Sequence, residues 1–223
     1  MQIEQMSDVD PKVFASLAHV YSLYYKRKDD HENYYKSCMQ YLAYTPSSEM
    51  TDQEKRELSI KMGMSILLGK KVYNIAELLD KDVINILVGT EFEWLYHMMR
   101  FLGQGHIDQF NDLVKTQAEY IHRFPNIVNE MTYLEQKVRI IAFLEMIFTL
   151  GKDERSVSFS KIAQTCKVTE ADVELLVMKA MALELVKGTI DEVAKLVHID
   201  WCQPRYLNKS HLEIMAAKMG SWE

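Results

Sequence analysis

Turn-forming residues are scarce in this chain: 8 glycines and 4 prolines among 223 residues. A fold rich in strands needs a turn every few residues, so this scarcity excludes an all-β architecture and favours long helices. Cysteine is scarce too. Cys38, Cys166 and Cys202 stand far apart with no CxxC spacing, so neither a disulfide framework nor a zinc knuckle is expected, and a reducing compartment is the simplest setting. No run approaches 18 uncharged apolar residues, and residues 1–10 carry neither a basic leader nor an apolar core. The expectation is a soluble, intracellular protein without membrane contact.

Chemical motifs are equally sparse. The seven histidines, at positions 19, 31, 97, 106, 122, 198 and 211, form no HxH or HExxH pair, so no metal site is expected. Gly69-Lys70-Lys71 lacks both the upstream glycine and the following Ser or Thr of a phosphate loop, which removes the case for a nucleotide site. No catalytic residue and no cofactor is assigned. A formal net charge of −6 repels a polyanion, and phosphate contacts supply most non-specific nucleic-acid affinity.

What the sequence does have is apolar residues at helical spacing. Val13, Phe14, Leu17, Tyr21, Tyr24 and Tyr25 mark a helix over 10–26 with Pro11 in its first turn, and Tyr34, Tyr35, Cys38, Tyr41 and Leu42 mark a second. The tyrosines of both are expected to form the interface between the pair. Thr51 followed by Glu54 is a candidate capping box opening a third helix that runs to Gly69. A shorter unit spans 75–88, and Thr90 with Glu93 opens the next helix. Gly103 and Gly105 mark a helix-to-helix turn, and beyond Pro125 a longer helix covers about 129–150. Helix after helix with short connectors indicates stacked helical hairpins, a TPR-like solenoid with degenerate repeats, over residues 1–150.

After residue 155 the texture changes. Ser156–Phe159 reads as a short strand, 160–167 as a short helix, 169–185 as a longer one capped by Thr169 with Val173, Leu176, Val177, Ala180 and Leu183 facing inward, and 186–190 and 196–201 as two strands around the tip 191–195. That order is a winged helix, so the fold class is all-α dominated with a C-terminal winged-helix module and a small β-sheet. Major-groove readout needs Arg, Lys, Asn or Gln on the second helix. That helix carries Glu170, Asp172, Glu174 and Glu184 against the lone Lys179, which favours a packing module over a DNA reader.

A helical array ending in a winged helix resembles the PCI domain, the module shared by subunits of the proteasome lid, the signalosome and a translation initiation complex. Residues 67–79, 173–181, 185–193 (Lys187-Gly188-Thr189-Ile190 among them) and 197–205 narrow the resemblance to the PCI subunits of the proteasome regulatory-particle lid. It covers about residues 14–207, and about 31–205 correspond to the PCI domain. The resemblance implies a non-catalytic scaffold supporting lid assembly and ubiquitin-dependent protein degradation, in cytoplasm and nucleus. Other lid subunits are the implied partners, with PCI-type neighbours on the winged-helix edges. Family members extend further at both ends, which marks this chain as a fragment or short variant. The alternatives are a signalosome or initiation-complex subunit and, from a different class, an acidic winged-helix regulator of DNA.

Two protein-interaction sites are expected. Leu196–Trp201 is taken as the outer strand of the wing, offering its open edge to a neighbouring sheet, with Val197 and Ile199 inward and Leu196, His198 and Asp200 outward. Residues 208–223 begin a tail helix, capped by Ser210, whose Leu212, Met215 and Met219 fall on one stripe and would dock in a helical bundle with other lid subunits.

Overall fold

The structure, a computed structural model, describes residues 10–150 and 155–203. The chain divides into two compact units, the first comprising Met1–Val72 and Lys81–Met99, the second Tyr73–Asp80 and Arg100–Glu223.

In the first unit, α1 (Pro11–Arg27) starts where the Asp10 carboxylate accepts from the Lys12 N–H at 2.9 Å and Pro11 presets the first turn. It stops at Asp29, whose φ of 57° no helix continues. Asp30 then caps α2 (His31–Tyr44) by accepting from the Asn33 N–H at 3.1 Å. Phe14 stacks on Tyr44 at 5.4 Å between ring centroids and His19 meets Tyr41 at 5.3 Å, so the two helices run antiparallel as a hairpin. Tyr34 and Tyr35 are buried in it. Tyr21 and Tyr24 are not, which corrects the reading of one tyrosine interface: both are exposed. The buried positions of α1 are Ala18 and Ser22, and Tyr24, two residues past Ser22, lies roughly 200° further round the helix.

The capping box opening α3 (Asp52–Leu68) is present in full. Thr51 Oγ1 accepts from the Glu54 N–H at 3.3 Å, and Glu54 Oε2 accepts from the Thr51 N–H at 2.9 Å. Farther along α3, buried Ser59 donates to the Val83 carbonyl at 2.8 Å, tying the helix to the 3₁₀ turn Asp82–Leu87.

The second unit holds α4 (Ala76–Leu79) and the end of α5 (Glu93–Gln104), followed by α6 (Ile107–Thr116), α7 (Ala118–Ile121), α8 (Pro125–Asn129) and α9 (Met131–Thr149). α5 ends in a paired cap: the His106 N–H donates to the Phe101 carbonyl at 2.9 Å and the Gly105 N–H to Leu102 at 3.1 Å, with Gly105 at φ +67°. α9 buries Leu134, Val138, Ile140, Ile141, Ala142, Phe143, Leu144 and Met146, and a helix apolar nearly all round belongs at the centre of a core. Lys137 is fully buried in it, its ammonium 5.4 Å from the Tyr73 ring centroid and 5.5 Å from that of Tyr133. Such ring faces attract a cation electrostatically.

The winged helix follows: β1 (Ser156–Ser158), α10 (Phe159–Cys166), α11 (Glu170–Ala182), β2 (Val186–Asp191) and β3 (Leu196–Cys202). The strands form an antiparallel sheet in the order β1-β3-β2. No helix among the described residues is long and apolar enough to cross a membrane.

Candidate protein-interaction surface

The winged helix is built on one small apolar core. Ser158 caps α10 by accepting from the Lys161 N–H at 3.3 Å, and Lys167 closes that helix in the left-handed region at φ 52°. α10 turns Phe159, Ile162 and Cys166 inward, α11 turns Val173, Leu176, Val177 and Ala180, and the sheet adds Val157, Val186, Val197 and Ile199. Burial pushes the Cys166 thiol up to about 12, so it sits in this core as a protonated apolar group. Thr169 occupies the position before α11, yet its hydroxyl bonds to the Asp172 carboxylate at 2.6 Å and caps no backbone N–H.

The sheet order corrects the expected edge. Leu196–Cys202 is the central strand: Val186–Asp191 pairs along one side and Ser156–Ser158 along the other, from Leu196 to His198. The Ile199 N–H donates to the Arg155 carbonyl and the Phe159 N–H to the Lys195 carbonyl, both at 2.9 Å, extending that cover. The short strand Ser156–Ser158 carries unpaired backbone groups of its own, and pairing it with β3 satisfies both strands at once. β1 and β2 are the edges that remain.

Of the residues expected to face a partner, His198 and Asp200 are exposed and Leu196 is half-buried, while Val197 and Ile199 point inward. The inward-outward alternation then breaks. Gly188 pairs with Ile199, but Lys187 pairs with Trp201, so Asp200 is an extra residue in a β-bulge. At this point the strands are so close that a Cβ on Gly188 would lie 2.0 Å from the His198 carbonyl oxygen. Past the bulge the side-chain parity flips, and Trp201 emerges on the outer face, 42% exposed, with the Lys187 ammonium 5.3 Å from its ring centroid. Cross-strand partners share a face, so Ser156, Lys187, Thr189, Leu196, His198 and Trp201 make one outward patch. Ser156 Oγ lies 2.7 Å from His198 Nδ1, and Arg155 donates to the Asp200 carbonyl at 3.2 Å, fixing the strand beside the bulge.

Sequence reading missed Trp201 because strict alternation carries no sign of a bulge; the close Gly188 opposite was the available signal. It also missed the solvent side of α11, where Leu175 is 68% and Met178 52% exposed. Both were legible as the apolar residues left over once the inward stripe was assigned. The helix from Glu170 to Ala182 contains no Arg, Asn or Gln, and Lys179 is engaged with Gln136 of α9. Apart from Lys179, so engaged, the helix that would enter a groove carries none of the donors that read base edges. Among the described residues, no group of three or more His, Cys, Asp and Glu side chains is placed to hold a metal ion. Leu212, Met215 and Met219, with the rest of the expected tail helix, lie outside the described residues.

Comparison with known proteins divides the chain in a related way. Residues 1–99 match the family described as PSD13 N-terminal repeats, and residues 111–201 match the PCI domain. The chain is 32% identical over 220 residues to the 26S proteasome non-ATPase regulatory subunit 13 homolog A of Arabidopsis thaliana, covering 99% of this chain and 57% of that protein. It is 30% identical over 221 residues to the 26S proteasome non-ATPase regulatory subunit 13 of Dictyostelium discoideum, with the same coverage. To the 26S proteasome regulatory subunit RPN9 of Saccharomyces cerevisiae it is 31% identical over 222 residues, 99% of this chain and 55% of that one. The chain thus spans little more than half the length of these curated relatives.

Proposed function

Since the chain belongs to the PCI-domain family of 26S proteasome non-ATPase regulatory subunit 13, we propose that it is a non-catalytic scaffold of the regulatory-particle lid, holding other lid subunits in place for ubiquitin-dependent protein degradation. Such a role calls for surfaces rather than a reaction centre. The observation that carries the reading is the winged helix itself: its second helix holds a single base-reading donor, Lys179, among acidic residues, while its sheet presents Trp201 on the same face as Leu196 and His198. Tryptophan is among the residues most enriched at the energetic centres of protein interfaces. A neighbouring subunit pairing with the sheet would use the open side of β2, which offers six residues against three in β1. Asp200 then serves by holding the bulge that turns Trp201 outward.

In this role the chain comprises a helical array over 1–150 and a winged helix over 151–207, with Leu212, Met215 and Met219 of the segment 208–223 docking on other lid subunits in cytoplasm and nucleus. Affinity purification of the tagged chain with quantitative mass spectrometry tests it. Lid subunits enriched together at comparable stoichiometry are the expected result. Enrichment of signalosome or initiation-factor subunits instead, or of DNA retained at moderate salt, would overturn it.

A further inference from the structure

The proposed lid role leaves one surface of the winged helix unexplained. On α11 the exposed positions include Ala171, Leu175, Met178 and Ala182, spaced by four, three and four residues, so they form one stripe about 17 Å long. Beside it, α9, the Lys167–Thr169 turn and α11 enclose a cleft of about 490 Å³. Its apolar lining includes Ile140, Val168 and Leu176. Its charged lining is basic: Arg139, Lys167 and Lys179 stand against one carboxylate, Asp172.

The pairing of these cations is uneven. Lys167 is bridged to Asp108 of α6. Lys179 bonds to the side-chain oxygen of Gln136, a neutral group that leaves its charge uncompensated. Arg139 Nε is buried with no hydrogen-bond partner, and a buried donor without an acceptor is costly to a fold. Asp172 is already engaged by the Thr169 hydroxyl. In a chain of net charge −6, this is a local excess of positive charge beside exposed Leu and Met.

We propose that this cleft is a docking site for a helical segment of a partner protein whose apolar stripe packs on Leu175 and Met178 and whose flanking carboxylates are taken by Arg139 and Lys179. The inference rests on the reading of the chain as a protein-binding subunit and supplies the chemistry of one partner. Charge complementarity names the occupant: Arg139 and Lys179 border the stripe on one side, while Glu174, one residue before Leu175 and so roughly 100° round the helix, lies on the other, which matches carboxylates confined to one flank and opposes a uniform polyanion such as nucleic acid. Nucleic acid would also leave Leu175 and Met178 without a partner. An amphipathic acidic helix satisfies both halves of the site, in the helix-in-groove mode where i, i+3, i+4 and i+7 anchors carry the contact.

Fluorescence anisotropy with the full chain tests the site. The probe is a labelled helical peptide with leucines at i, i+4, i+7 and i+11 and glutamates along one flank; its control carries lysine for every glutamate. The acidic peptide should saturate and bind at least tenfold tighter than the basic one, and added salt should narrow the gap. Leu175→Ser with Met178→Ser should weaken it tenfold or more with an unchanged melting temperature, since both side chains already face water. Arg139→Gln with Lys179→Gln should abolish the preference between the peptides. Equal binding of both peptides, no saturation, or tighter retention of duplex DNA than of the acidic peptide would overturn the proposal. In the purified assembly, a photo-crosslinking p-benzoylphenylalanine in place of Leu175 should map to an acidic amphipathic helix of another subunit. Crosslinks confined to this chain, in an assembly that still contains lid subunits, would overturn the docking site while leaving lid membership standing.

Discussion

Substituting Gly105 by alanine separates two costs that a comparison position allows to be measured apart. Gly105 and Gly89 both lie in the left-handed region, at φ +67° and +77°. Around Gly89 an added Cβ meets nothing within 4 Å, whereas at Gly105 it would lie 2.6 Å from Ala142 Cα and 2.7 Å from Ala142 N. These are backbone atoms of α9 and cannot rotate aside. Gly89→Ala therefore carries only the conformational cost, about 1–2 kcal/mol. Gly105→Ala adds overpacking of about 1–3 kcal/mol, because the turn that seats buried Ile107 and Phe110 must move away from α9. The sum of about 2–5 kcal/mol converts to a fall of roughly 4–20 °C at about 2–4 °C per kcal/mol for a chain of this size. Thermal and urea unfolding followed by circular dichroism reads both variants. Equal losses at the two positions would refute the reasoning, since they would mean that the close approach to Ala142 carries no energy.

Thr51→Ala removes the capping box of α3 and should cost about 0.5–2 kcal/mol in urea unfolding; an unchanged midpoint would deny the box any role. Burial raises the Cys38 thiol to about 11 and the Cys166 thiol to about 12 from an ordinary 9.0. In the native chain iodoacetamide should therefore label half-exposed Cys202 first, with Cys38 and Cys166 reacting only on unfolding. Because these thiols hold their protons more tightly when folded, the stability they contribute is complete below pH 9 and is lost as pH rises through 11–12. Unfolding midpoints measured across that range should fall, and a flat profile would contradict it. Trp201→Ala should cost about 1–3 kcal/mol of stability, since more than half of the side chain is covered, while sharply reducing partner capture; equal capture by the variant would remove Trp201 from the interface.

The helices were legible because their causes are local. Asp10 with Pro11, and Thr51 with Glu54, state in adjacent residues where a helix starts, and the structure places α1 and α3 there. The winged helix was legible in the order of its elements and in the inward residues of α11. The wing's topology was not, because pairing Ser156–Ser158 with Leu196–His198 joins segments about forty residues apart that nothing local connects. A one-residue bulge at Asp200 reversed Trp201 for the same reason: period-two reasoning assumes an unbroken ladder. Lys137 shows a third kind of limit. A lysine reads as a solvated position on a helix, and only the fold supplies the rings of Tyr73 and Tyr133 that hold it in the core. Arg139 and Lys179 came together with Leu175 through the packing of α9 against α11, which no sequence window spans.

Lysine-directed crosslinking of the purified assembly, read by mass spectrometry, tests most directly whether the winged helix binds neighbouring subunits. Lys161, Lys187 and Lys195 are exposed on that module. Crosslinks from these residues to other lid subunits are the predicted result, with Lys187, beside Trp201, the most productive; a fully assembled lid in which all three react only within this chain would contradict it.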